Sequence, residues 1–397
     1  MLRVPYPPDD GGAAVMLATL KALRVAGHRV VVAALNTDKH YCPADRLATL
    51  APIRTVDVKT PIRPLAAWFN LIFSRLPYNV SRFLSEEFSR LLIDTLKTQT
   101  FDAVLFEGTY TALYAPAVRA QTNAPLILRA HNVENQIWRR LSRGEKNRLK
   151  KIYLWHLTRR IERFERENLT LFDGLVAISS TDESEFLRMG FRGETTVVPA
   201  TVDLRRFSPQ TPKVGCRSVG FLGSLDWKPN VEGLLWFVDE IWPRVRERMP
   251  EAQFHVAGRN PSKDLAARLN RPGVVFYGRV EDAAEFLDRF NVTVVPLLSG
   301  GGMRVKIVEQ MALGKAVIST RVGAEGVEAR DGVEICLADE PHSFAERIRE
   351  LIADEQRTQT IGAAAARLAA ELYDERTLAP RLETFLNRLI ERRSSIQ

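Results

Sequence analysis

Cysteine is scarce in this sequence: its three residues, Cys42, Cys216 and Cys336, lie far apart along a chain of 397 residues. An odd and widely spaced set argues against a disulfide framework or a structural zinc site, and it is typical of a reducing compartment. Long hydrophobic runs are lacking as well. The longest apolar stretch, Leu65–Leu76, is interrupted by polar residues and is too short to span a bilayer.

Two recognisable motifs are also missing. Met1–Val4 is too short for the apolar core of a signal peptide, and Pro5 follows it at once. No candidate strand is followed by the G-x-G-x-x-G fingerprint that opens a helix in nicotinamide-dependent dehydrogenases, which argues against that class of enzyme. By elimination we expect a cytoplasmic protein.

Charge and length narrow the choice further. The chain has 56 Lys and Arg against 48 Asp and Glu, a net charge of +8 with a pI near 9.5. This surplus suits an anionic partner, namely a nucleotide, a phospholipid surface or a nucleic acid. At 397 residues the chain exceeds the usual size of one hydrophobic core, so we expect two domains.

Short β-type runs alternate with helix-period segments along the whole chain, which predicts parallel sheets and a doubly wound α/β fold in each half. We place the junction of the halves near Asp203–Gly215, which has no apolar period. Because such a domain normally opens with a buried strand, and only Met1–Val4 precede a proline-rich turn, we expect the natural start to lie upstream. The candidate strands are Arg29–Leu35, Val56–Lys59, Ala103–Glu107, Leu126–Ala130, Gly174–Ile178, Thr195–Val198, Val219–Leu222, Gln253–Ala257, Val274–Tyr277, Val292–Pro296, Ala316–Ser319 and Glu334–Leu337.

The most informative segment is Val292–Thr320, in which a β-rich apolar run leads into a glycine loop and then a helical segment. The backbone N–H groups of such a loop and the dipole of the helix both favour a bound phosphate. A nucleotide diphosphate is the expected ligand; the alternative is an ordinary glycine turn between a buried strand and a surface helix. The residues expected to bind are Gly300, Gly301 and Gly302 in the loop, Arg304 and Lys306 as cations, and Glu309 as an acceptor for ribose hydroxyls.

A second glycine turn lies near the start of the chain. Gly11 and Gly12 follow an acidic turn, Pro7–Asp10, and lead into an apolar-periodic helix over Ala13–Ala26. Glycines let the backbone approach a ligand, and the helix directs its positive end towards it. The alternative is a surface turn with an acidic N-cap.

A dense polar run follows the candidate strand Leu126–Ala130, at the edge where ligands bind to parallel sheets. Here His131 is placed to bond a sugar hydroxyl or to polarise a leaving group. Glu134 is placed to orient it or to cap the next helix. The alternative for His131 is a structural histidine with satisfied hydrogen bonds.

Two further loops follow candidate strands of the second half. Gly223 begins the loop after the first of them, and Lys228 lies later in that loop, where it can reach a phosphate. Gly278 and Val280 follow Val274–Tyr277, where backbone groups can meet the edge of a nucleobase. In both places the alternative is an ordinary strand-to-helix loop.

The stretch Arg139–Asn168 has a helical period and is strongly basic, with aromatic and aliphatic residues between the cations. A basic amphipathic helix predicts an anchor on an anionic membrane surface. The alternative is a solvated face above an ordinary core stripe.

Together these residues resemble the family 4 glycosyltransferases, which are retaining enzymes with the GT-B fold. The resemblance runs essentially from end to end. It is most specific in Gly300–Thr320, where GGGMRVKIVE and its Ala-Leu-Gly continuation are similar to a subgroup encoded beside exopolysaccharide and cell-envelope genes. The other matching segments are Pro7–Gly12, Arg129–Glu134, Pro199–Phe207 and Gly220–Lys228.

The resemblance implies an α/β fold of the GT-B type, in which two Rossmann-like doubly wound parallel-sheet domains face each other across a cleft. It implies an N-terminal acceptor-side domain at 1–205, joined by a C-terminal helix at about 375–397. A nucleotide-sugar-binding domain is implied at 206–374. The implied reaction retains anomeric configuration and uses neither a cofactor nor a catalytic metal.

The resemblance also implies roles for single residues. His131 would lie near the donor sugar, and Glu309 would bind ribose as the second glutamate of the family's E-x7-E motif. Arg304 and Lys306 would stabilise the departing diphosphate, while Gly11 and Gly12 would approach the donor from the other domain.

Three departures from the family pattern affect the donor site. Gly301 stands where the first glutamate of E-x7-E belongs, so sugar contacts there would come from backbone amides. Ser224 stands where an arginine is usual. The Pro-Asn-Gly-Val-Asp turn appears as Pro199–Asp203, with Ala200 and Thr201 in its centre.

The sequence thus predicts a hexosyltransferase that moves a sugar from a nucleotide-diphosphate donor to a glycan or lipid-linked glycan in exopolysaccharide or cell-envelope synthesis. It predicts contact with the inner face of the plasma membrane through 139–168, and no nucleic-acid partner. Two alternatives stay open. A GT-B sugar-nucleotide epimerase would need further acid–base carboxylates, and a catalytically silent nucleotide- or glycan-binding subunit is favoured only by Gly301.

Overall fold

The computed structural model describes residues 1–8, 11–208 and 217–395. The chain divides into two compact units, each of which is an α/β assembly on parallel strands. Met1–Ala200 with Arg376–Gln397 form one unit, here the N-terminal domain, and Thr201–Glu375 form the other, the C-terminal domain. Two parallel-sheet α/β domains confirm the predicted fold class. The predicted junction at Asp203–Gly215 lies partly outside the described residues.

Helices surround the sheets in both domains. In chain order they are α1 (Gly11–Val25), α2 (Pro64–Phe73), α3 (Tyr78–Ser81), α4 (Glu86–Thr98), α5 (Ala115–Arg119), α6 (Glu134–Gly144), α7 (Arg148–Leu169), α8 (Ser180–Arg188), α9 (Lys228–Trp236), α10 (Trp242–Arg248), α11 (Lys263–Arg268), α12 (Ala283–Asp288), α13 (Val305–Ala312), α14 (Pro341–Ala353), α15 (Glu355–Leu372) and α16 (Glu375–Ser394).

The N-terminal domain has a two-stranded and a four-stranded parallel sheet. β1 (Val32–Thr37) pairs with β2 (Ile53–Val58), and the larger sheet has the order β3–β4–β5–β6. The backbone of Met1 lies beside β1, since its amino group donates to the Ala33 carbonyl at 2.8 Å. The strands of the larger sheet are β3 (Val104–Glu107), β4 (Leu126–Ala130), β5 (Gly174–Ala177) and β6 (Glu194–Val197).

The burial of strand β4 shows that this sheet is covered on both faces. All five of its residues are buried, as expected for a central strand of a parallel sheet. Alternate side chains point to opposite faces. Leu126 and Leu128 join a core with Phe106, whereas Ile127 packs with Phe385 of α16.

The C-terminal domain has one six-stranded parallel sheet with the order β12–β11–β10–β7–β8–β9. From β7 the chain adds β8 and β9 on one side and then returns to add β10, β11 and β12 on the other. The strand order therefore reverses between β7 and β10, the position at which doubly wound sheets bind ligands outside their carboxyl ends. The strands are β7 (Ser218–Leu222), β8 (Gln253–Ala257), β9 (Val274–Gly278), β10 (Val292–Val295), β11 (Ala316–Ser319) and β12 (Cys336–Leu337).

One helical prediction needs correction. The basic stretch Arg139–Asn168 is not one helix: α6 ends at Gly144, and α7 begins after Asn147, whose side chain accepts from the Lys150 amide at 3.1 Å. In the C-terminal domain, α9 and α10 are separated by a π-helical turn at Phe237–Ile241. Pro243, near the start of α10, supplies no N–H group to the regular helical pattern there.

Within the described residues, no helix has both the length and the apolar composition needed to cross a membrane.

Candidate active site

The glycine loop between β10 and α13 lies at the carboxyl end of β10, next to that of β7. Gly300 has φ +117° and Gly302 has φ +76°, values that favour glycine. The carbonyl of Gly301 accepts a hydrogen bond from Arg304 Nη1, and a Cβ atom at Gly300 would overlap the Arg304 guanidinium. The loop is therefore closed around this arginine.

Arg304 contacts the loop that follows β7. Its side chain is buried, and its Cζ atom lies 5.3 Å from the ring centroid of Trp227, in the loop after β7. Cation–π contact of this kind favours one position of the guanidinium. The cation thus bridges the two loops at the point where the strand order reverses.

Lys306, the second residue of α13, lies at the same place. Its Nζ atom donates to Asn230 Oδ1 at 2.8 Å and lies 5.3 Å from the ring centroid of Phe221. Burial and, to a smaller extent, the charge of Arg304 lower the pKa of Lys306 to about 7, against the opposing charge of Glu309. An anion bound beside this amine would favour its protonated form.

Asn230, in the first turn of α9, organises this arrangement and was not predicted from the sequence. It is buried, and its Nδ2 donates to the carbonyl of Ser224 at 2.9 Å. A Cβ atom at Gly223 would lie 2.9 Å from the same amide nitrogen, so a glycine permits this close approach. The local signal is a polar residue directly after Pro229 at the start of a helix that otherwise buries apolar residues.

Glu309 lies three residues after Lys306 on α13. Burial raises the pKa of its carboxyl group, and the charges of Arg206 and Lys306 lower it. A carboxylate on this helix is compatible with the predicted contact to ribose hydroxyls, which remains a prediction.

The other predicted donor-binding residues lie at the same edge of the sheet. Lys228 is exposed as the first residue of α9. Gly278 ends β9 with φ +66°, and its carbonyl accepts from the Gly258 amide at 2.7 Å. Val280 follows two residues later and is partly buried.

Arg259, which follows β8, is a further cation that the sequence reading missed. Its Nε donates to Ser224 Oγ at 3.1 Å, so a guanidinium stands beside the serine that replaces the expected arginine. The signal that could have revealed it is the Gly-Arg-Asn run directly after a predicted strand. In the structure, Asn260 of this run has φ +56°, a value that is uncommon for residues other than glycine.

A second set of predicted residues lies in the N-terminal domain. His131 Nε2 is 2.6 Å from Glu107 Oε2, and Arg129 Nε is 4.0 Å from the same oxygen. Glu107 and Arg129 are register partners on β3 and β4, and both are about 2% exposed. Burial lowers the pKa of Arg129, and the charge of Glu107 opposes this effect.

An open cavity of about 350 Å³ is lined by Glu107 and His131. Gly12 and His131 both line it, so the structure brings these two predicted residues together, whereas Gly11 begins α1 and is exposed. Asp9 and Asp10 lie outside the described residues. Among those described, Glu107 Oε1 and Arg129 Nε and Nη1 are buried without hydrogen-bond partners. The lining also contains Arg3, Lys39 and Arg82.

The N-terminus of α6 is bound by Glu165 of α7. Its Oε1 accepts from the Glu134 amide at 2.9 Å, and its Oε2 accepts from the Asn135 amide at 3.1 Å. Glu134 itself is the first residue of α6, and burial raises its pKa. Glu165 of α7, and not Glu134, therefore caps the N-terminus of α6.

No group of three His, Cys, Asp or Glu side chains in the described part of the chain is placed to hold a metal ion.

A doubly wound parallel sheet with a glycine loop at its point of strand reversal is typical of nucleotide-binding proteins. A family model described as Glycosyltransferase Family 4 matches residues 10–206, and one described as Glycosyl transferases group 1 matches residues 216–354. Together these two models span most of the chain, which therefore belongs to the glycosyltransferases that they describe.

Two relatives show how this sequence compares with others. The chain is 24% identical over 357 residues to a 44.6 kDa protein of the cps region of Klebsiella pneumoniae, with 87% of each chain covered. It is 28% identical over 183 residues to the phosphatidyl-myo-inositol mannosyltransferase of Mycobacterium tuberculosis, with 41% of this chain and 47% of that protein covered.

Solved structures share the fold. Anabaena HepE in complex with UDP has a TM-score of 0.69 at 16% identity, covering 96% of this chain and 97% of that chain. The sucrose-phosphate synthase of Thermosynechococcus elongatus has a TM-score of 0.68 at 18% identity, covering 96% and 94%. The predicted GT-B fold is thus confirmed.

Proposed function

We propose that this glycosyltransferase moves a sugar, with retention of anomeric configuration, from a nucleotide-diphosphate donor to a glycan or lipid-linked glycan in exopolysaccharide or cell-envelope synthesis. The observation that carries the proposal is the pair Arg304 and Lys306 beside the glycine loop of the C-terminal domain. The relative from the cps region supports the pathway class. The complex of HepE with UDP-glucose supports a uridine nucleotide as the first donor to test.

The proposed roles of the two cations follow from the place at which negative charge develops during the reaction. As the bond between the sugar and the diphosphate breaks, negative charge accumulates on the departing phosphate oxygens. Preorganised cations stabilise that charge more than they stabilise the bound donor, and this difference accelerates the reaction. Lys306, whose pKa is about 7 in the unliganded chain, takes up a proton when the donor diphosphate binds, so it is a cation before the bond breaks. We propose that these side chains act without a catalytic metal.

The cavity of the N-terminal domain is assigned to sugar hydroxyls. His131 is oriented by the Glu107 carboxylate at 2.6 Å, and a ring held in this way can exchange hydrogen bonds with hydroxyl groups through its other nitrogen. Gly12 lines the cavity and has no side chain to fill it. These residues belong to substrate positioning in the proposed reaction.

A thermal-shift screen against UDP, GDP and ADP and their sugars is the first test, because a ligand that binds only the folded chain raises its melting temperature. One stabilising nucleotide sugar then serves as donor in turnover assays, with product configuration read by NMR and with EDTA added. Stabilisation by none of these nucleotides would favour a catalytically silent subunit.

Arg304→Ala and Lys306→Ala should each lower turnover on the order of a hundredfold if they stabilise the leaving group. Arg321→Ala is the matched control, since Arg321 is an exposed arginine of the same domain paired with Asp339. Wild-type turnover in both test variants would refute the assigned roles.

A further inference from the structure

Helix α2 presents its large apolar side chains to solvent. None of its residues is buried, and Leu65, Trp68, Phe69, Ile72 and Phe73 are 53% to 77% exposed. Four of them recur at the spacing of one helical face, i, i+3, i+4 and i+7. A surface helix of a globular domain normally turns such a stripe towards the core, so α2 has the opposite arrangement.

The opposite side of α2 is fixed to the domain by polar contacts. Arg160, buried on α7, donates through Nη1 to Asn70 Oδ1 at 3.1 Å and through Nη2 to the Leu76 carbonyl at 2.8 Å. Asn70 Nδ2 also donates to the Leu76 carbonyl at 3.1 Å. Turning the apolar face inward would break these bonds, so its outward direction is a built feature of the fold.

The segments that flank α2, and the part of α7 that contacts it, are basic. Between Asp57 and Glu86 the chain has no acidic residue, while Lys59, Arg63, Arg75 and Arg82 are all basic. The segment Lys146–Ile161, which includes the first half of α7, likewise has six basic residues and no acidic one. Exposed apolar side chains accompany this second cluster at Leu149, Ile152 and Trp155, and Arg159 Cζ lies 4.1 Å from the Trp155 ring centroid.

We propose that α2 inserts its apolar face into the interfacial layer of an anionic lipid bilayer, and that the basic residues around it and on α7 bind the lipid headgroups. At ten residues, about 15 Å, the helix suits a position in the plane of the interface. Tryptophan prefers this layer, and acidic headgroups complement the cations. Facing copies of this surface would repel each other, which favours a bilayer over a second copy of the chain.

The inference does not depend on the transferase proposal, and it changes the role of 139–168. Of that stretch, the exposed side chains between Arg148 and Arg159 supply headgroup contacts, whereas the second half of α7 buries residues such as Ile161 and Phe164 in the N-terminal domain. The element that enters the lipid is α2.

Flotation of the full chain with phosphatidylcholine vesicles, with and without phosphatidylglycerol, tests the proposal at low and high salt. Trp68→Ser/Phe69→Ser removes apolar contact, with Tyr41→Ser as a control for an exposed aromatic residue elsewhere. Arg63→Gln/Arg75→Gln removes charge, with exposed Arg90→Gln/Arg192→Gln as control. Melting temperatures verify that every variant is folded.

The wild-type chain should float with the anionic vesicles at low salt and dissociate as salt is raised. Both test variants should bind at least about tenfold more weakly, and both controls should bind like the wild type. Trp68 emission should shift to the blue on binding, and this shift should be lost in Trp68→Phe.

Three results would overturn the proposal. Wild-type chain that stays unbound at low salt would exclude an anionic bilayer as the partner. Equal binding by Trp68→Ser/Phe69→Ser would exclude α2 as the inserted element. Concentration-dependent self-association in sedimentation, lost in the same variant and without vesicle binding, would assign this face to a second copy of the chain.

Discussion

Lys306 Nζ donates a 2.8 Å hydrogen bond to Asn230 Oδ1, and this bond joins the two sides of the proposed nucleotide site. Asn230 lies on α9, which follows β7, whereas Lys306 lies on α13, which follows β10. The two strands are neighbours at the reversal of strand order. The bond therefore fixes the position of the cation relative to the loop that begins with Gly223.

Asn230→Ala removes the acceptor of Lys306 and the donor to the Ser224 carbonyl, so we expect nucleotide affinity to fall roughly tenfold. Titration calorimetry with the nucleotide that gives the largest thermal shift measures the effect. Exposed Asn270→Ala is the matched control. Wild-type affinity in Asn230→Ala would show that the bond does not organise the site.

Nucleotide affinity should depend on pH through Lys306. Burial lowers its pKa from 10.5 to about 7, and a bound diphosphate raises it again, so binding takes up a proton. Affinity should therefore be highest below pH 7 and fall as pH rises through the pKa of the free enzyme. Calorimetry in buffers of different ionisation enthalpy measures the proton uptake.

Lys306→Arg is the informative variant for this pH dependence, because a guanidinium stays charged over the whole range. It should remove the decline in affinity above pH 7. The same decline in this variant would assign the titration to another group. In the unliganded chain, the lowered pKa means that the unfolded state binds more protons between pH 7 and 10.5, so this residue's contribution to stability rises across that window.

Substitution of two glycines with positive φ distinguishes the effect of backbone strain from the effect of contact with Arg304. Gly300→Ala and Gly332→Ala should each lose about 1–2 kcal/mol of stability, because φ is +117° and +76° at these positions. Only at Gly300 would the new Cβ also displace the guanidinium, since no atom lies within 4 Å of a Cβ at Gly332. We expect nucleotide affinity to fall in Gly300→Ala alone; an equal loss in both variants, measured by calorimetry, would attribute it to strain.

Sequence reasoning located the strands well where a buried apolar run stands by itself, as in β4. It was less accurate where pairing decides the bounds. β1 was predicted over Arg29–Leu35 but extends over Val32–Thr37, in step with its partner from Ile53 to Val58. A parallel partner is distant in sequence, so local pattern does not determine which residues of a run it pairs with.

The same limit applies to the candidate site. The glycine loop and its cations were predictable because their chemistry lies within ten residues of chain. The partners of these residues were not, since Asn230 precedes Lys306 by 76 positions and Glu107 precedes His131 by 24. For α2, the sequence shows an apolar stretch that is too short to span a bilayer, and this length says nothing about the direction in which its apolar face points.

The buried pair Glu107 and Arg129 predicts a large effect from a small change. Glu107→Gln removes the buried carboxylate whose Oε2 lies 4.0 Å from Nε of Arg129, a guanidinium that is 2% exposed, and we expect a loss of about 3–5 kcal/mol in the free energy of unfolding. Denaturant unfolding measures it. His131→Ala is the comparison, because it removes the ring from the cavity and leaves the pair intact, so it should cost less stability.

A double variant identifies the cause of that loss. Glu107→Gln/Arg129→Met removes both charges, so no uncompensated ion stays buried and much of the stability should return. Turnover should be lower than in the wild type in both Glu107→Gln and His131→Ala, because the first changes the partner of the ring that lines the cavity and the second removes the ring. If Glu107→Gln is as stable as the wild type, Arg129 does not depend on this carboxylate, and its burial has another source of compensation.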